Sequence, residues 1–187
     1  PDSAAAQMLE GDALDKAREW SRAEEAYRRA LAADPRFPGA QFAVGLMRYK
    51  RRDYDGAGEA FARELAANAG HAPAARYTGL LELDRGRPEA AIPLLERAAG
   101  LSPRHAETWR DLGRAALDAH RPQRAAEALR RAIALDPADP SAHFLLGRAL
   151  HALGRPAEGD AEMKAAAQLN VELRSRLEEE VSGRPPD

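Results

Sequence analysis

The sequence predicts an all-α array of stacked antiparallel helix pairs, and three observations predict it. Glycines stand at 11, 45, 79, 113 and 147, one every 34 residues. A second small-residue column, Ala23, Ala57, Ala91, Ala125 and Gly159, keeps the same period, followed by a bulky column of Tyr27, Phe61, Leu95, Leu129 and Met163. Breakers fall between these columns: Pro35, Pro103 and Pro137 close windows, and Gly86 and Gly154 interrupt two of them midway. Self-similarity at a fixed period of this length dictates the architecture, so it is settled before any single residue is read.

Five windows follow from the period: 4–37, 38–71, 72–105, 106–139 and 140–173. Each has room for two helices of about fourteen residues, roughly 21 Å long at 1.5 Å per residue. Glycine and alanine let the two helices approach closely, the bulky residue fills the space beside them, and proline stops one helix while pre-setting the next turn. A third small column runs through Ala30, Ala98, Ala132 and Ala166. A single hairpin cannot bury its apolar face, so neighbours must stack on it.

Taken in order, the first window departs from the pattern at Glu10, where an apolar residue normally precedes the glycine. The second departs at Glu64, which falls in the third small column, and the third window repeats the first departure at Thr78. Pro88, Pro122 and Pro156 suit the first turn of the second helix in windows three, four and five. Pro93 lies inside a predicted helix, where it costs about 3 kcal/mol; the expectation is a kink or loosened turn, read as a tolerated irregularity near the helix start rather than a hinge. After the fifth window, Leu169, Leu173, Leu177 and Val181 recur at helical spacing. That stripe predicts a capping helix over about 170–181 that covers the exposed end of the array, with a dimerisation helix as the alternative, and 182–187 as a frayed tail. The period makes residues 1–187 one continuous domain.

Composition agrees with a thin core. Aromatics make up 5% of the 187 residues while 44% are apolar, much of that alanine, so burial must come from close backbone approach. With 28 basic and 30 acidic side chains the net charge is -2, which argues against a nucleic-acid partner that needs a broad cationic surface. The absence of cysteine removes disulfides and thiolate chemistry and suits a cytoplasmic or a periplasmic setting equally. No apolar run approaches eighteen residues and no leader pattern opens the chain, so neither membrane insertion nor a signal peptide is expected. Heavy alanine and arginine usage with three lysines resembles a GC-rich bacterial coding sequence.

Catalytic chemistry has little to stand on. His71, His105 and His120 fall in turns, and His143 and His151 share a helix at a spacing too wide for one metal. No phosphate-cradling glycine loop or nucleophile elbow is present, and Ser21, Ser102 and Ser141 lie beside helix ends. The expectation is no enzymatic activity, no cofactor and no metal.

The stretch AETWRDLGRAALDAHRPQRAAEALRRAIALDPAD resembles the tetratricopeptide repeat family, with Trp109, Leu112, Gly113, Ala125, Leu129, Ala132 and Pro137 in the places of that family's pattern. The resemblance covers about 170 residues in five in-register copies. It implies a right-handed superhelical solenoid of five repeats plus the cap, in which the first helix of each repeat lines a concave groove for a peptide or protein segment. Carried onto this sequence, the groove holds an apolar zone of Phe42, Leu46, Tyr49, Leu80 and Leu83 and a basic zone of Arg76, Arg110, Arg114 and Arg148, with Phe144 and His151 in the same columns. A ligand matching both zones has apolar anchors and an acidic group, since arginine engages carboxylate bidentately. The family's chaperone-tail clamp does not transfer: Met8, Asp12, Ala43, Pro73 and Tyr77 fill its places. Local ion pairs of Glu107 with Arg110 and of Arg114 with Asp118 are the competing account of two arginines. Self-association through the repeat ends or convex face, and a regulatory or substrate-recognition segment of a larger enzyme, are the alternative functions.

Overall fold

The computed structural model of the chain describes residues 3–182, and among them are ten α-helices and no strand. They are α1 (Ala4–Lys16), α2 (Trp20–Ala33), α3 (Ala40–Lys50), α4 (Tyr54–Ala67), α5 (Ala72–Asp84), α6 (Pro88–Leu101), α7 (Ala106–Asp118), α8 (Pro122–Leu135), α9 (Pro140–Ala152) and α10 (Pro156–Ser182). Two helices start in every window that the period defines. The chain divides into two compact units, Pro1–Arg85 and Gly86–Asp187. In unit one, α1 packs on α2, α2 on α3, α3 on α4 and α4 on α5; in unit two, α6 packs on α7, α7 on α8, α8 on α9 and α9 on α10.

The glycine column does what its spacing implies. A Cβ at Gly45 would lie 2.5 Å from Cε1 of Phe61, and one at Gly147 would lie 2.9 Å from the Gly159 carbonyl oxygen. At Gly11, Gly45, Gly113 and Gly147 the paired helices therefore meet at distances no larger residue permits without movement. Around these contacts, unit one buries Tyr27, Val44, Met47, Phe61 and Leu81, whereas the core of unit two around α8 and α9 is alanine with Leu129, Leu146 and Leu150.

The turn inside each hairpin repeats a left-handed residue at the same 34-residue period. Gly86 and Gly154 have φ of 69° and 72°, but Arg18, Arg52 and His120 hold the equivalent place at 61°, 64° and 54°. Non-glycine residues take this conformation at a cost of about 1–2 kcal/mol, so the stacked helices impose the turn in three hairpins where the sequence carries no breaker. At four helix N-termini, Ser3, Asp53, His71 and Asp139 accept hydrogen bonds from backbone N–H groups of the first turns of α1, α4, α5 and α9.

Each departure from the repeat pattern has a local resolution. Glu10 is exposed and pairs with Arg29 at 2.8 Å, and the Thr78 hydroxyl donates to the Ala74 carbonyl at 2.8 Å. Glu64 is buried and accepts from the Phe42 N–H at 3.3 Å, in the first turn of α3, where the N-cap residue Gly39 has no side chain to offer. α6 runs unbroken through Pro93, whose ring faces solvent.

The C-terminal cap requires a correction. Residues 170–181 do not form a separate helix folded over the fifth repeat; they continue α10, which runs without interruption from Pro156 to Ser182. No proline or glycine occurs between Gly159 and Gly183, so nothing in the sequence stops the helix at the end of the fifth window. Leu173 and Leu177 are exposed as a result, and Leu169 is half-buried. The side chain of Val181, and the tail 183–187, lie outside the described residues.

Candidate functional site

The residues assigned to the groove divide between the two units. In unit one, Phe42 and Tyr49 on α3 sit within an aromatic cluster rather than standing free. The Phe42 ring centroid is 5.7 Å from those of Phe61 and Tyr77 and 4.9 Å from that of His71; Tyr49 is 5.3 Å from Tyr77 and 5.7 Å from Tyr54. These edge and tilted contacts join α3, α4 and α5. Leu46 packs half-buried against the cluster around Tyr27 and Met47, Leu80 is half-buried, and Leu83 is buried. The Arg76 guanidinium stands 5.6 Å from the Tyr77 ring centroid.

The Tyr49 hydroxyl donates to Asp84 at 2.6 Å. Burial, reinforced by that hydrogen bond to Asp84, pushes the phenol well above its ordinary range. Tyr27 behaves the same way against Asp12, at 2.8 Å. Tyr54, Tyr77 and Asp84 were not singled out by the repeat columns, because their contacts cross between helices that no local spacing links.

In unit two the basic column resolves into occupied and available charges. Arg110 donates to Asp139 at 2.8 Å and stands 3.9 Å from Asp111, with its side chain 26% exposed. Burial opposes its charge, but Asp139, Asp111 and Glu107 together outweigh that effect and raise its pKa. Asp139 also accepts the Ser141 N–H as the N-cap of α9, so Arg110 fastens α7 to the start of α9. Arg114 reaches Asp118 only at 3.8 Å, with both side chains more than two-fifths exposed, an arrangement that contributes little.

α9 adds two exposed side chains, Phe144 and Arg148, one helical turn apart. α7 and α9 are in contact, so Arg114, Phe144 and Arg148 belong to neighbouring first helices of unit two. His151 engages Asp160 on α10 at 3.0 Å, and His143 engages Glu162 at 2.6 Å. Phe144 also borders a cavity of about 580 Å³ between α9 and α10, lined by Leu145, Met163, Ala166, Ala167 and Asn170 among others. Among the described residues, no group of three or more histidines and carboxylates is placed to hold a metal ion, and no helix is long and apolar enough to cross a membrane.

A family model described as tetratricopeptide repeat matches residues 8–73, 48–106, 78–139 and 110–170. No curated protein matches the sequence. Among solved structures, the crystal structure of MamA protein superposes with a TM-score of 0.77 at 22% identity, over 92% of this chain and 94% of that one. MamA from Desulfovibrio magneticus RS-1, residues 41 to the end, gives 0.80 at 19% identity over 90% and 96%. YrrB, described as a TPR protein with an unusual peptide-binding site, gives 0.72 at 19% identity over 87% and 84%. At these identities the likeness concerns the fold.

Proposed function

Because the chain belongs to the tetratricopeptide repeat family, we propose that it is a non-catalytic interaction scaffold that binds a peptide or protein segment along the first helices of its repeats. The observation that carries the reading is the contrast on α7 and α9: Arg110 is engaged by Asp139, while Arg114 on α7 is exposed, as are Phe144 and Arg148 one turn apart on α9. Phe144 serves as the apolar anchor and the two arginines receive an acidic group of the ligand. Arg110 supports them by holding α9 in place. Phe42, Leu46, Tyr49, Arg76 and Leu80 form the corresponding surface of unit one with buried Leu83 beneath it, and His151 closes the column on α9. Rigid, pre-packed helices reduce the ordering cost of binding.

An array of peptides that vary an acidic residue and an apolar residue independently, probed with the whole chain, tests this. Arg114→Ala with Arg148→Ala is expected to weaken the best binders more than tenfold and to flatten their salt dependence. Phe144→Ala is expected to weaken them without the salt effect. Unchanged affinity and unchanged salt dependence in the double variant would overturn the assignment.

A further inference from the structure

We propose that the open face of the last hairpin, formed by α9 and α10, docks an amphipathic partner helix that carries two arginines three residues apart beside an apolar stripe. The argument comes from the first hairpin, whose face is built from residues in the same repeat columns. Met8, Glu24, Tyr27 and Leu31 there correspond, four periods later, to Phe144, Asp160, Met163 and Ala167.

In unit one that face is covered by α3. Met8, Tyr27 and Leu31 pack in one cluster with Val44 and Met47 of α3. Glu24, only 5% exposed, accepts from Arg48 Nε at 2.8 Å and Arg51 Nη1 at 2.9 Å, both supplied by α3 or its C-cap. In unit two the same columns are uncovered. Phe144 is 49% exposed, Met163 and Ala167 line the cavity of about 580 Å³, and Asp160 is 74% exposed with His151 as its recorded partner.

The carboxylate is what selects the occupant. In the three intervening repeats its column holds Gly58, Ile92 and Ala126, so an acid occurs at the first and last positions and nowhere between. At the first position the acid is matched by the arginine pair of the following helix. The last acid fits a helix with the same pair, which would set the register while Met163 and Ala167 take its apolar side. A second copy of this chain does not supply it through its first helix: the places of Arg48 and Arg51 are taken there by Leu14 and Ala17. α10 leaves the face open because it continues straight past Asn170 instead of turning back over it.

The probe is a labelled, end-blocked peptide of residues 38–53, which contains α3 and the arginine pair, titrated into the whole chain and followed by fluorescence anisotropy. Asp160→Arg is expected to weaken binding about tenfold or more, as loss of an oppositely charged partner at a docked face does. The peptide carrying Arg48→Asp and Arg51→Asp is expected to bind the wild type weakly and to recover on Asp160→Arg. Ala167→Glu, on the cavity wall, is expected to abolish binding, and circular dichroism checks that both variants retain their helices. Equal binding by wild type and Asp160→Arg, or failure of the charge exchange to restore it, overturns the proposal. So does self-association of the chain that displaces the peptide. Phe144 belongs to both surfaces, so the test rests on Asp160 and Ala167, which the groove reading does not use: a loss confined to Asp160→Arg and Ala167→Glu speaks to this face, and a loss confined to Arg114→Ala with Arg148→Ala speaks to the groove.

Discussion

The bulky column between hairpin helices holds Tyr27 and Phe61 in unit one, but Leu95, Leu129 and Met163 in unit two. The same division runs through the charges. Unit one buries Glu24 and Glu64 and surrounds the first with Arg28, Arg48 and Arg51; unit two keeps the equivalent Asp160 in solvent and packs alanine and leucine around α8 and α9. One backbone period thus accommodates two packing chemistries. What differs is the balance: unit one adds a ring cluster and, in its first hairpin, a buried, arginine-matched carboxylate, while unit two, which buries Asp111 beside Arg110, leaves Phe144, Arg148 and Asp160 exposed in its last.

The strongest way to break this comparison is Phe61→Ala, which removes a fully buried ring from the unit-one cluster and is expected to cost about 4 kcal/mol. Hydrogen exchange should then accelerate in α3 to α5 well before α7 to α9. Equal acceleration in both units would show that the two packing chemistries do not respond separately.

Next in size is a matched pair. Glu24→Ala leaves three arginines around a half-dry site and is expected to cost about 3 kcal/mol, at the low end for a buried ion pair deprived of one partner. Asp160→Ala, at the equivalent exposed position, is expected to stay within about 0.5 kcal/mol. Urea denaturation of the two variants reads the difference directly, and similar costs would erase the distinction between the faces.

The smallest effect sharpens the comparison through pH. The Tyr49 phenol is raised by burial and by its hydrogen bond to Asp84, so the unfolded chain releases this proton first, near its ordinary pKa of about 10. Its contribution is therefore complete below about pH 10 and declines as pH rises above that. Tyr49→Phe is expected to be about 1 kcal/mol less stable at neutral pH. Denaturation midpoints across the alkaline range should show that gap narrowing, whereas a constant gap would mean the phenol does not retain its proton in the folded state.

Much of this molecule was legible as spacing. The glycine, alanine and bulky columns located every hairpin, and Pro88, Pro122 and Pro156 open the helices they were expected to open. The turn column was legible only where it held glycine; Arg18, Arg52 and His120 occupy the same left-handed place without a local signal, because packing of the flanking helices supplies the constraint. The cap failed as a separate element because an apolar stripe reports which side of a helix is apolar, not whether the chain turns before it.

For the candidate site the sequence supplied columns and not partners. It offered Glu107, three residues away, as one account of Arg110, and the structure adds Asp139 from the start of the next hairpin to the same guanidinium. It gave Phe42 and Tyr49 as groove residues without their ring partner, and the structure adds Tyr77 against both. By itself, then, the sequence determined the period, the two helix starts in each window and the family, since these follow from local spacing repeated five times. Only the tertiary structure decided which charges are already matched and which face solvent, because ion pairs and ring contacts join residues whose separation along the chain carries no periodic signal.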